Sequence, residues 1–196
     1  MNIPSLNLTF GQLAWTLNFG EQPKQHFIDK LNYISKLGIP FKRESNKTGS
    51  GNRVHYEYED LIECGVAMYG LNIGLKPKDM KILLVDYRAE YREAFRQAII
   101  NHPESALHDS WVKYKGKGSQ GAVNEHDVFL RLHDRYSDFT GTIDLITFVN
   151  SQGNPFDFNE TFQDGSNRPL LPLSRFALQW TAWALEAPEF KTGPKS

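Results

Sequence analysis

Phe41-Lys-Arg-Glu-Ser-Asn-Lys-Thr-Gly-Ser-Gly-Asn-Arg-Val-His-Tyr56 decides how this chain reads, because two short β-prone arms flank a glycine-rich, basic tip. Its surroundings share the charge. Lys24 to Arg53 carries seven Lys/Arg against Asp29 and Glu44 alone, in a protein whose formal net charge is −1. A polyanion would feel that patch well before it felt the protein's average.

Helical patterns lie on both sides of this hairpin. Upstream, Thr9 is the expected N-cap of a short helix, Gln12 completes a capping box, and Phe10, Leu13, Ala14 and Leu17 form its apolar stripe. Asn18 to Glu21 make a turn. A second helix then runs from about Pro23 to Leu37, with Phe27, Ile28, Leu31, Ile34 and Leu37 at three-four spacing and Gly38 as its stop. Downstream, Asp60 to Asn72 repeats the helical period; Gly65 would let another element approach closely, and Gly74 ends the helix.

Pro77 opens the next helix, in which Met80, Leu84, Tyr87, Tyr91, Ala94 and Ala98 alternate four and three apart. That is a heptad seam over roughly 36 Å, and it asks for a partner helix. Met80, Leu84, Tyr87 and Tyr91 are therefore the expected interface of a homodimer. His102-Pro103 breaks the pattern. Beyond it, Val128 to Leu132 and Thr142 to Val149 read as strands and Ser174 to Glu186 as a helix.

The fold class expected from this order is α+β. It comprises a winged helix-turn-helix over 1–76 whose wing is the hairpin, a long pairing helix over 77–101, and an α+β regulatory or assembly module over 102–196.

Three motifs in register carry a family resemblance. Leu8-Thr-Phe-Gly-Gln-Leu-Ala14, Tyr58-Glu-Asp-Leu61 and Gly74-Leu-Lys-Pro-Lys-Asp-Met-Lys-Ile-Leu-Leu84 resemble successive motifs of the MerR-type transcription regulators, across about two fifths of the chain. The resemblance implies a dimer that binds a roughly palindromic operator in double-stranded DNA. It departs from the family at Leu31-Asn-Tyr-Ile-Ser35, where Leu-Arg-Tyr-Tyr-Glu is usual, and it lacks the paired cysteines of the metal-sensing members.

In a helix-turn-helix the start of the second helix reads base edges, which nominates Gln22, Lys24, Gln25 and His26, with Lys30 beside them. Lys42, Arg43, Lys47 and Arg53 of the hairpin would lie over the phosphate backbone or minor groove, and Thr9 and Tyr33 are further phosphate contacts. Arg88, Arg92 and Arg96 form an i, i+4 stripe that, with Asp86, Glu90 and Glu93 beside it, reads as a solvated face.

Other functions have weaker seeds. His108-Asp109, His126-Asp127 and His133-Asp134 pair imidazole with carboxylate, the ingredients of a metal-dependent hydrolase, but their spacing fits no metal motif. No nucleophile elbow or phosphate-binding glycine loop occurs, so neither an enzyme nor a cofactor is expected. Trp111, Tyr114, Trp180 and Trp183 and the single Cys64 read as core, although the same aromatic rings leave room for a small-molecule or protein effector.

At 196 residues, 40% hydrophobic and 23% charged, the chain has the composition of a soluble protein. Its start lacks a signal-peptide pattern and no apolar run approaches a membrane span, so a cytoplasmic protein with no membrane partner is expected. A second reading shares the DNA contacts but coats DNA as an architectural, replication or partition accessory.

Overall fold

Helix starts and stops follow local chemistry closely. The computed structural model describes residues 1–40, 54–109, 128–132, 143–147 and 170–189. Helix α1, Phe10–Leu17, begins at the expected capping box: the Gln12 N–H donates to Thr9 Oγ1, and the Thr9 N–H donates to Gln12 Oε1 at 2.9 Å. Helix α2, Gln25–Lys36, starts two residues beyond Pro23, with Lys24 at its N-cap. Helix α3, Tyr58–Asn72, has a second capping box formed by Glu57 and Asp60. Gly38 and Gly74, each just past a helix end, hold φ of 89° and 93°, where a side chain would be strained.

The long helix expected over 77–101 is interrupted. Helix α4, Pro77–Lys81, runs into a π turn, Ile82–Asp86, and helix α5, Arg88–Ile100, starts after Tyr87 at φ −112° and ψ 30°. A heptad seam needs constant pitch, and the π turn rotates the faces out of phase. Met80, Leu84 and Tyr91 are buried in the chain's own core, whereas Tyr87 is 48% exposed. A pairing surface on this stretch would have to be built from Tyr87, the one expected interface residue that the fold leaves open.

The last helix, α6, Leu173–Leu185, lies against α1, α3 and α5. Gly65 makes this possible: a Cβ there would overlap the Trp180 ring, so the bare backbone of α3 is the seat of an indole. Trp183 packs on Gly20 and meets Trp15 edge to face, with ring centroids 5.3 Å apart. Phe176 bridges Tyr69 and Trp180. All but two of the buried apolar side chains from Leu6 to Ala184 belong to one cluster, Cys64 among them; Ala182 and Trp183 lie outside it. The amino terminus closes onto α5, where the Met1 ammonium donates to the carbonyls of Ile100 at 2.8 Å and His102 at 2.6 Å. A cation there suits the negative end of the helix.

Three short antiparallel strands make a sheet in the order β2-β1-β3, where β1 is Val128–Leu132, β2 is Ile143–Thr147 and β3 is Leu170–Leu171. The register runs from Val128 opposite Thr147 to Leu132 opposite Ile143, and Leu130 faces Leu171 on the other edge. Val128 N–H donates to the Ser174 hydroxyl at 2.9 Å, which ties this sheet to the start of α6.

These observations overturn the α+β class with a winged helix-turn-helix. The described residues are mostly helical, and 1–40 and 54–109 contain no strand. Tyr56, at the end of the expected wing, makes only an isolated bridge: its N–H and C=O exchange bonds of 2.8 and 3.0 Å with Leu8, in the segment before α1. The β-branched and aromatic character of Val54 and Tyr56 suggests strand pairing. In Tyr56 it serves burial, since the ring is 8% exposed and belongs to the helical core. The hairpin tip, with Lys42, Arg43, Lys47 and Arg53, lies outside the described residues.

Candidate nucleic-acid interface

Helix α2 buries Leu31 and Ile34, packs Phe27 and Ile28 partly against the same core, and turns its polar side outward. Gln22, Lys24, Gln25, His26, Lys30, Tyr33 and Lys36 are all exposed, with Asp29 the only acidic residue within the helix. Its start is unusual. Most N-caps are Ser, Thr, Asp or Asn, whose side chain accepts from a first-turn N–H. Lys24 can only donate; no side chain caps this end, and no acidic residue occupies the first turn. The helix therefore presents first-turn N–H groups beside a lysine, an arrangement that favours an anion.

Three of the expected contact residues are already engaged. The Gln25 amide donates to Asp29 Oδ1 at 2.9 Å, one turn along the exposed face. Lys30 Nζ donates to Asn72 Oδ1 at 2.8 Å, which fixes the flank of α2 against the end of α3. His26, Lys30 and Tyr33 share that flank by helical spacing, and Ile73, 38% exposed, follows Asn72. Thr9 is held inside the α1 cap, where its hydroxyl lies 3.0 Å from Gln12 Oε1. Its geometry belongs to the helix start, and a phosphate would have to compete with that cap.

The structure also brings together a group that the sequence reading placed in solvent. Arg88 donates through Nε and Nη2 to Glu63 Oε1 at 3.0 and 2.8 Å, and its Nη2 also reaches the Gly38 carbonyl at 2.7 Å. Arg92 bonds Asp60 Oδ1 at 2.6 Å and Glu63 Oε2 at 3.3 Å, and Arg96 bonds Glu59 at 3.0 Å. Three arginines of α5 thus meet three carboxylates of α3, and the Gly38 bond draws in the end of α2. Glu63 is 1% exposed, so the ladder is a structural joint. The signal was available: Glu59, Asp60 and Glu63 form a stripe on α3 that complements Arg88, Arg92 and Arg96 on α5.

Burial dominates the titration of this joint. It pushes the Glu63 carboxyl up from the usual range despite Arg88 and Arg92, and does the same to Asp60 against the Glu57 N–H and Arg92. Burial likewise raises the Tyr56 phenol to about 12 and the Cys64 thiol well above its ordinary value. Cys64 is therefore held as the unreactive thiol.

Of the His-Asp pairs, His108-Asp109 is exposed, and the other two lie outside the described residues. Among the described residues no group of three or more His, Cys, Asp or Glu is placed to hold a metal ion. Trp180 and Trp183 are buried core, and Trp111 and Tyr114 lie outside the described residues. No helix among the described residues is long and apolar enough to cross a membrane. Compared with known proteins, the chain matches no family model, no curated protein and no solved structure.

Proposed function

We propose that this protein binds double-stranded DNA through the exposed face of α2 and acts as a sequence-specific regulator. The observation that carries the reading is the start of α2: Lys24 stands at an uncapped N-terminus, and Gln25, His26, Lys30 and Tyr33 follow on exposed positions. A helix of this width fits the major groove. In that position the first-turn N–H groups and Lys24 meet phosphate. Gln25 reads a base edge once its amide leaves Asp29, and His26 lies on the next position of the same turn.

The cation surplus between Lys24 and Arg53 supports the reading, because that stretch adds four more basic side chains directly after α2. Binding carried by such residues releases counterions, so log affinity should fall linearly with log salt, by about 0.9 for each phosphate neutralised. The test is affinity for a duplex across a range of salt concentrations. A steep linear fall supports the proposal, and affinity that is flat or undetectable at low salt contradicts it. Nuclease footprints separate a regulator, with one short protected site, from a protein that coats DNA, whose protection spreads.

A further inference from the structure

Four residues beyond Asn72 a second row of lysines begins. Lys76, Lys78 and Lys81 are exposed, and from Asn72 to Lys81 the only acidic residue is Asp79. Two features hold this row in place. Gly74, at φ 93°, turns the chain out of α3, and Leu75 N–H returns to the Gly70 carbonyl at 2.9 Å. Met80 is buried, with its sulfur seated where Gly70 lacks a Cβ, so Lys78 and Lys81 remain on the outer side of α4.

The Lys30–Asn72 bond ties the flank of α2 to this turn. We infer that Lys76, Lys78 and Lys81 are a second phosphate-contacting row for the duplex that α2 engages. The inference rests on the α2 reading and extends the interface to a part of the chain outside Lys24–Arg53. Tyr33 and Ile73, 43% and 38% exposed, belong to the two edges that the bond joins. A flat ring and an aliphatic side chain beside lysines suit the sugar-phosphate edge of a groove. Duplex DNA is the favoured partner because the turn that leads into the row is bonded to the flank of a helix whose own start favours phosphate; an isolated lysine row would suit any anionic surface.

The experiment compares the full chain with K76A/K78A/K81A and with K24A/K30A, reading duplex affinity against salt and circular dichroism for each. The inference predicts a folded triple variant whose affinity at moderate salt is at least about tenfold weaker and whose salt slope is shallower by about three. Unchanged affinity in the triple variant, with weakened binding in K24A/K30A, overturns the second row and leaves the α2 reading standing. Unchanged affinity in both variants, or no duplex binding by the full chain, overturns both. K78E/K81E leaves the α4 N-cap intact and serves if the triple variant misfolds; it should weaken binding further through repulsion, and full affinity overturns the second row. Loss of binding to anionic phospholipid vesicles with duplex affinity intact also overturns it, in favour of a lipid surface.

Discussion

Helices α2 and α5 each carry a cationic stripe, and the two stripes have opposite fates. On α2, Lys24, Lys30 and Lys36 are exposed, and none of the ion pairs among the described residues includes them. On α5, Arg88, Arg92 and Arg96 spend their guanidinium groups on Glu63, Asp60 and Glu59 of α3. The residue types fit the difference. Guanidinium is a planar fork that holds two carboxylate oxygens at once, whereas ammonium is a compact, strongly hydrated point charge. A row of arginines facing a row of acids is a joint, and a row of lysines without such a partner is a surface.

Breaking the α5 stripe should have the largest effect. Arg88→Met removes the bonds to the nearly inaccessible Glu63 carboxylate and to Gly38, so about 3 kcal/mol of unfolding free energy should be lost. Urea denaturation measures it. A variant as stable as the parent would mean that the ladder is ornamental and that the two stripes do not differ.

A pH series on Glu63→Gln sharpens the same contrast. Because burial raises the Glu63 carboxyl, the folded state holds its proton more tightly than the unfolded chain does. That contribution is full below the ordinary carboxylate value of about 4 and is lost as pH rises through the raised one. Glu63→Gln should therefore lose less stability than the parent as pH climbs through this window. The opposite ordering, with the parent gaining on the variant, would show the arginines outweighing burial.

The α2 stripe should matter least to stability. K24A/K30A should lower the urea midpoint only slightly, since both side chains are exposed and the Lys30–Asn72 bond that it removes is a solvent-exposed one. It should nevertheless reduce the salt slope of duplex binding by about two. A large loss of stability in this variant would erase the distinction drawn above.

What was legible in the sequence was mostly local. The α1 capping box and the stop glycines Gly38 and Gly74 depend on neighbours within a few residues, and the structure has them as read. Gly65 was legible as a point of close approach, but its partner Trp180 was not, because only the packing of α6 brings that ring to α3. The heptad from Met80 misled because a π turn leaves no mark in the spacing of apolar residues. The end of the expected wing misled through a different ambiguity: a β-prone aromatic such as Tyr56 also suits a helical core. Beside the acids of its own helix the arginine stripe looks solvated, whereas its partners lie on α3.

The exposed face of α2 as the place where this protein meets DNA is tested most directly by lysine acylation footprinting, read residue by residue in a mass spectrometer with and without saturating duplex. Lys24 and Lys30, both exposed, should react in the protein alone and lose most of that reactivity in the complex. Full reactivity at both positions in a saturated complex would contradict the account.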